Sequence, residues 1–190
     1  MDPWETPDSA FYGAALAALA AGATPAEYRD QPEIQKRIAA LTDYLQREQQ
    51  GQPLHNRLML LWASSKLPEA LRESLRKPLI DEILRKQEAD GGWTLESLGS
   101  WAEHPKAPLS TGSNSYATGF VAFVLRQAGL VRSHPDLMRA LDWLRSHQNR
   151  QSGYWTANSM NKPYEPDSMQ VRFVQDAATS FAAMALLEAK

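Results

Sequence analysis

Asp176 stands at the head of an apolar run, DAATSFAAMALLEA, where a carboxyl group could do proton chemistry. Held in an apolar cup at the mouth of a cavity, a carboxyl keeps its proton to higher pH and can donate it. The same position suits a helix N-cap, since aspartate accepts backbone N–H bonds there. Asp8-Ser9 and Asn114-Ser115 occupy the matching place before two other apolar runs, and that parallel favours the cap. Tyr116, one step inside its own run, would lie near the same mouth and is the second catalytic candidate. Tyr12, Trp62, Phe120, Phe123 and Phe181 also sit on apolar runs, as does Phe11. Aromatic faces attract cations and would suit a ligand-lining wall; the plainer reading of the same residues is core packing.

Other chemistries are narrowed by what is missing. The sequence has no cysteine, which excludes a thiol nucleophile, a Cys-ligated zinc and a disulfide framework. His55, His104, His134 and His147 are scattered without metal-ligand spacing, so neither a metal nor another cofactor is expected. There is no glycine-rich phosphate loop and no Gly-x-Ser-x-Gly. A net charge of −2 argues against a nucleic-acid partner. The longest apolar run, residues 11–23, falls short of the about 20 residues a bilayer span needs. It follows no basic segment, so it does not read as a signal peptide; membrane contact and compartment stay open.

The elements that must position these residues are helices. Ile34, Ile38, Leu41 and Leu45 recur at spacings of 3 and 4 in PEIQKRIAALTDYLQREQQ, an amphipathic helix opened by Pro32. Pro78 is read as opening a second amphipathic helix, after a short connector over 69–76, and Pro135 a third. Between them lie runs that are apolar nearly all round: 11–22 closing on Gly22, 54–67 broken by Pro68, 115–128 stopped by Gly129, and the run from Asp176. A helix apolar all round must be covered on all sides, an amphipathic one on one side. The alternation predicts an all-α fold in two layers, inner apolar helices wrapped by outer amphipathic ones.

The ends of the amphipathic helices repeat. Tyr44-Leu45-x3-Gln49, Ile83-Leu84-x2-Gln87 and Trp143-Leu144-x3-Gln148 align, and the last two continue into Asp90-Gly91-Gly92-Trp93 and Gly153-Tyr154-Trp155. The Gln-to-Gln intervals are 38 and 61 residues. The longer one contains residues 94–113, an inserted loop that could act as a lid, with Trp101 and His104 its notable side chains. Asp90-Gly91-Gly92 reads as a turn. Tyr164, Glu165 and Asp167 read as surface loop.

Arg139-Ala140-x2-Trp143-Leu144-x3-Gln148-x4-Gly153-x-Trp155 resembles the QW motif of the squalene–hopene and oxidosqualene cyclases. Gln87-x2-Asp90-Gly91-Gly92-Trp93 resembles its shorter form, also seen in protein prenyltransferase β subunits. The resemblance implies an (α/α) toroid of helical hairpins and, in function, a terpenoid-cyclase-like isomerase acting on an apolar polyprenyl (isoprenoid) substrate. The alternative is a non-catalytic binding or assembly module on the same scaffold. The cyclases' Asp-x-Asp-Asp acid motif and the prenyltransferases' zinc ligands have no counterpart here. Gln87, Gly92, Trp93, Trp143, Gln148, Gly153 and Trp155 are expected to form a structural clamp between repeats: a glutamine bridging orphan groups at helix ends, a tryptophan packed over it. Three hairpins and the first helix of a fourth make an incomplete ring in a single domain over 1–190. They read as the C-terminal part of a longer protein, or as a chain whose open apolar edge self-associates.

Overall fold

The computed structural model describes residues 9–100, 111–158, 163–165 and 168–187. Among these residues eight α-helices run in the order α1 Ser9–Ala23, α2 Ala26–Arg29, α3 Pro32–Glu48, α4 Leu54–Ala63, α5 Glu73–Arg85, α6 Ser115–Gln127, α7 Pro135–Ser146 and α8 Met169–Leu187. Short 3-10 turns at Gln49–Gly51, Pro68–Ala70 and Glu96–Leu98 join them, and no strand occurs among the described residues. The fold is all-α. The chain divides into two compact units, Met1–Glu82 and Ile83–Lys190, with the division inside α5.

Local chemistry explains most boundaries. Asn114 caps α6, its side chain accepting the N–H groups of Tyr116 and Ala117. Gly129 ends that helix, with Leu130 N–H bonded back to the Leu125 carbonyl. Pro32 and Pro135 sit at the first turns of α3 and α7, where a missing N–H costs nothing.

Three boundaries differ from the sequence reading. Pro78 lies inside α5, which starts at Glu73 and absorbs the expected connector. Leu75 N–H bonds the Arg72 carbonyl, so the first turn is nucleated ahead of the proline. Gly22 does not stop α1; the helix runs on to Ala23. Glycine is needed there for another reason: a Cβ would fall 2.5 Å from the Lys66 carbonyl carbon, so α1 touches the backbone beyond α4. The third correction concerns α8, which starts seven residues ahead of Asp176 because Ser168 caps it, its hydroxyl accepting the Val171 N–H.

Within the first unit α1 packs on α4 and α3; within the second α6 packs on α8 and α7. The contrast between covered and half-covered helices holds for α4 and α6. Seven of ten residues of α4 and ten of thirteen of α6 are buried. It fails for α1 and α8, which are equally apolar yet bury three residues each: Phe11, Ala15 and Ala18, and Ala178, Ala182 and Ala185. Each touches its neighbours along one stripe. Composition alone marks a helix as able to be covered; it does not supply the neighbour.

Candidate functional site

The most structured feature lies where each amphipathic helix ends, and it occurs twice in the second unit. After α5, the Trp93 indole N–H donates to the Ile83 carbonyl at 2.9 Å, and the Trp93 backbone N–H donates to the Thr118 hydroxyl on α6 at 3.0 Å. After α7, the Trp155 indole donates to the Leu144 carbonyl at 2.8 Å, and the Trp155 N–H to the Thr179 hydroxyl on α8 at 3.1 Å. The glutamines match as well: Gln87 donates to the Gly91 carbonyl and Gln148 to the Gly153 carbonyl, at 2.9 and 2.7 Å. Gly91 and Gly153 both have positive φ, +95° and +80°, which turns the chain so that these carbonyls face back to the glutamine. Both tryptophans are buried, so each indole N–H needs the acceptor it finds.

Gln87 also reaches the next amphipathic helix. Its amide donates to the Asp136 carbonyl in the first turn of α7 at 2.7 Å, and the Arg139 guanidinium donates to its carbonyl oxygen. Gln87 thus bonds both its own turn and the first turn of α7. At Gln148 the bond recorded is the local one to Gly153. Trp143 adds a cross-link, its indole donating to the Asp90 carboxylate at 3.0 Å while His147 stacks on its ring at 3.8 Å. Asp90 further accepts the Gly92 N–H and the Ser113 hydroxyl. Burial opposes its charge, but these bonds and the nearby His147 outweigh that and hold its carboxyl below the ordinary range. Gly92 is required by space: a Cβ would lie 2.4 Å from that of Ser113.

The first unit carries the same clamp on a residue the sequence reading passed over. Gln46 donates to the Glu69 carbonyl at 2.6 Å and accepts from the Arg72 guanidinium at 3.2 Å. Gln49, which aligns with Gln87 by spacing, is instead buried and bonds the Gln46 carbonyl. The partners share one pattern, Pro68-Glu69-x2-Arg72 and Pro135-Asp136-x2-Arg139. Thr118 and Thr179 were also missed. Their signal was available: Ala-Thr-Gly-Phe at 117–120 and Ala-Thr-Ser-Phe at 178–181 lie 61 residues apart, the interval of Gln87 and Gln148.

The candidate catalytic residues are not brought into an acid site. Asp176 lies in the third turn of α8, exposed, and is neither N-cap nor buried in an apolar cup. Tyr116 is half-buried in an aromatic cluster, 6.0 Å from Phe120 and 5.7 Å edge-on from Phe181. Phe181 also meets Phe120 at 4.8 Å and Phe123 at 6.0 Å. These rings fill space against one another, the core reading. In the first unit Tyr12 stacks on His55 at 5.4 Å, and Trp62 is half-buried on α4. Burial raises the Tyr12 hydroxyl and pushes the His55 imidazole down to about 4, a hydrogen bond with Asn56 opposing the latter. A cleft in the same unit, lined by Gln49, Arg57, Leu79 and Glu82 among others, holds the Arg57–Glu82 ion pair at 2.9 Å. It shares none of the predicted aromatics.

Trp101, His104 and Asp167 lie outside the described residues. Tyr164 is half-buried and Glu165 exposed. Among the described residues no three His, Asp or Glu side chains come together as a metal site, and no helix is long and apolar enough to cross a membrane. No family model, curated protein or solved structure matches the chain.

Proposed function

We propose that this chain is an assembly module on a prenyltransferase/cyclase-type repeat scaffold, a partial (α/α) toroid whose hairpins are joined by glutamine clamps. The supporting observation is the recurrence of one clamp, Gln46 with Glu69 and Arg72, and Gln87 with Asp136 and Arg139. The same pair of bonds twice ties a helix end to a later element of the chain, and the acid candidate Asp176 is exposed on α8. Exposed apolar side chains on α8 give the module a surface to associate through. The test is Gln87→Ala read by urea denaturation. A loss of about 1–3 kcal/mol supports the clamp as what holds the module together; an unchanged midpoint removes the proposal.

A second reading is favoured by one observation, the Tyr116–Phe120–Phe123–Phe181 cluster with Tyr116 and Phe181 half-buried. It is a squalene/terpenoid cyclase-like isomerase that folds an apolar polyprenyl substrate in a central cavity against these rings, whose faces stabilise a carbocation. Incubation with squalene or a prenyl diphosphate, followed by product analysis, tests it. Cyclised product that disappears in Phe181→Ala supports this reading, and its absence with a folded protein leaves the assembly module.

A further inference from the structure

The cleft of the first unit is formed by the turn after α3, by α4 and by α5, and measures about 130 Å³. Its charged groups are Arg57 and Glu82, which meet fork to fork: the Arg57 Nη1–H donates to Glu82 Oε1 at 3.1 Å, and Nη2 lies 2.9 Å from Oε2. A guanidinium has N–H groups, and a carboxylate lone pairs, beyond those that such a contact uses. Both side chains keep part of their surface open, 23% and 32%. Gln49 lines the same cleft and is buried, its amide NH2 donating to the Gln46 carbonyl at 3.3 Å. Among the described residues nothing donates to its amide oxygen. Leu75, Pro78 and Leu79 supply apolar surface to the lining.

We propose that this cleft binds a free α-amino acid with a small aliphatic side chain. The sign of the charges selects the class. An anion drawn to Arg57 meets the Glu82 carboxylate beside it, and a cation drawn to Glu82 meets the Arg57 guanidinium. A ligand with both charges on one carbon escapes both repulsions. Its carboxylate takes the spare N–H groups of Arg57 and its ammonium the spare lone pairs of Glu82. The charges then alternate in sign around a ring, and the existing ion pair stays made. An ammonium has further N–H donors, and the Gln49 amide oxygen is an acceptor for one of them. The aliphatic side chain covers Leu75, Pro78 and Leu79. Volume limits its size: an apolar cavity of about 150 Å³ takes benzene, and valine is little larger.

The test titrates L-valine into the isotope-labelled full chain and follows the Arg57 Nε–H signal by NMR, identified by its loss in Arg57→Lys. That signal and the Gln49 side-chain amide signals should shift saturably. N-acetylvaline keeps the carboxylate alone and valinamide the ammonium alone; each should bind about tenfold more weakly or worse. These analogues leave the protein untouched, so a folding defect cannot mimic the effect. Glu82→Gln removes the charge that repels an anion, so it should weaken valine about tenfold and strengthen N-acetylvaline, whereas a folding defect weakens both. No saturable shift with valine overturns the proposal, as does a singly charged analogue that binds as tightly as valine. Weaker binding of both valine and N-acetylvaline to Glu82→Gln overturns the alternating ring.

Discussion

The hydroxyl of Thr118 accepts the backbone N–H of Trp93 at 3.0 Å in the interior of the second unit. Thr118 is fully buried, and the loop carrying Trp93 has no helix or sheet partner for that N–H. A buried donor without an acceptor costs about 1–3 kcal/mol. Thr118→Val keeps the shape and removes the acceptor, so urea denaturation should show a loss of that size. Thr118→Ser should lose less, since it keeps the oxygen. Thr179→Val, at a half-buried position, should fall below Thr118→Val.

The clamp glutamines should rank by what they join. Gln46→Ala breaks the bonds to Glu69 and Arg72 and should cost about 1–2 kcal/mol of stability. Gln148→Ala, at an exposed position bonded to its own turn, should cost less than about 0.5 kcal/mol. Equal losses for the two would show that the bonds to Glu69 and Arg72 secure no more than a bond within one turn does.

Two glycines in α1 should respond oppositely to alanine. At Gly22 the new methyl meets the Lys66 backbone at 2.5 Å, which a rotamer change cannot relieve. Overpacking of this kind costs about 1–3 kcal/mol or more. At Gly13 nothing lies within 4 Å, so Gly13→Ala should gain the helix-propensity difference, about 0.5–1 kcal/mol. Thermal melts of the two variants measure both signs.

His55 makes the first unit acid-sensitive. Its folded-state value, about 4, is below the ordinary 6.5, so the unfolded chain binds a proton more readily. Stability should be full above pH 6.5 and fall as pH drops from there towards 4, with a slope of at most about 1.4 kcal/mol per pH unit. His55→Phe keeps a ring against Tyr12 and should flatten that part of the profile. Asp90, held below the carboxylate range, acts at lower pH: its contribution is present at neutral pH and is lost as the carboxyl protonates. Asp90→Asn separates the two windows.

What the sequence determined is local. Helical periodicity, Pro32, Pro135, Asn114 and Gly129 fixed most of the helices because each acts through bonds within a few residues of itself. The turns at Gly91 and Gly153 and the two tryptophan anchors were legible for the same reason: glutamine, glycine and tryptophan close their bonds on neighbouring helix ends. Only the tertiary structure decided which glutamine grips the next helix. Gln49 fits the spacing, but its side chain is buried and Gln46 faces Glu69 and Arg72, a matter of which side of α3 meets the following turn. It also decided the fate of Asp176. The acid reads as the start of an apolar run, but Ser168 starts the helix earlier, and rotation through two more turns leaves the carboxylate in water. Exposure on a helix is set by where the helix begins and what lies beside it, and neither is written in the residue itself.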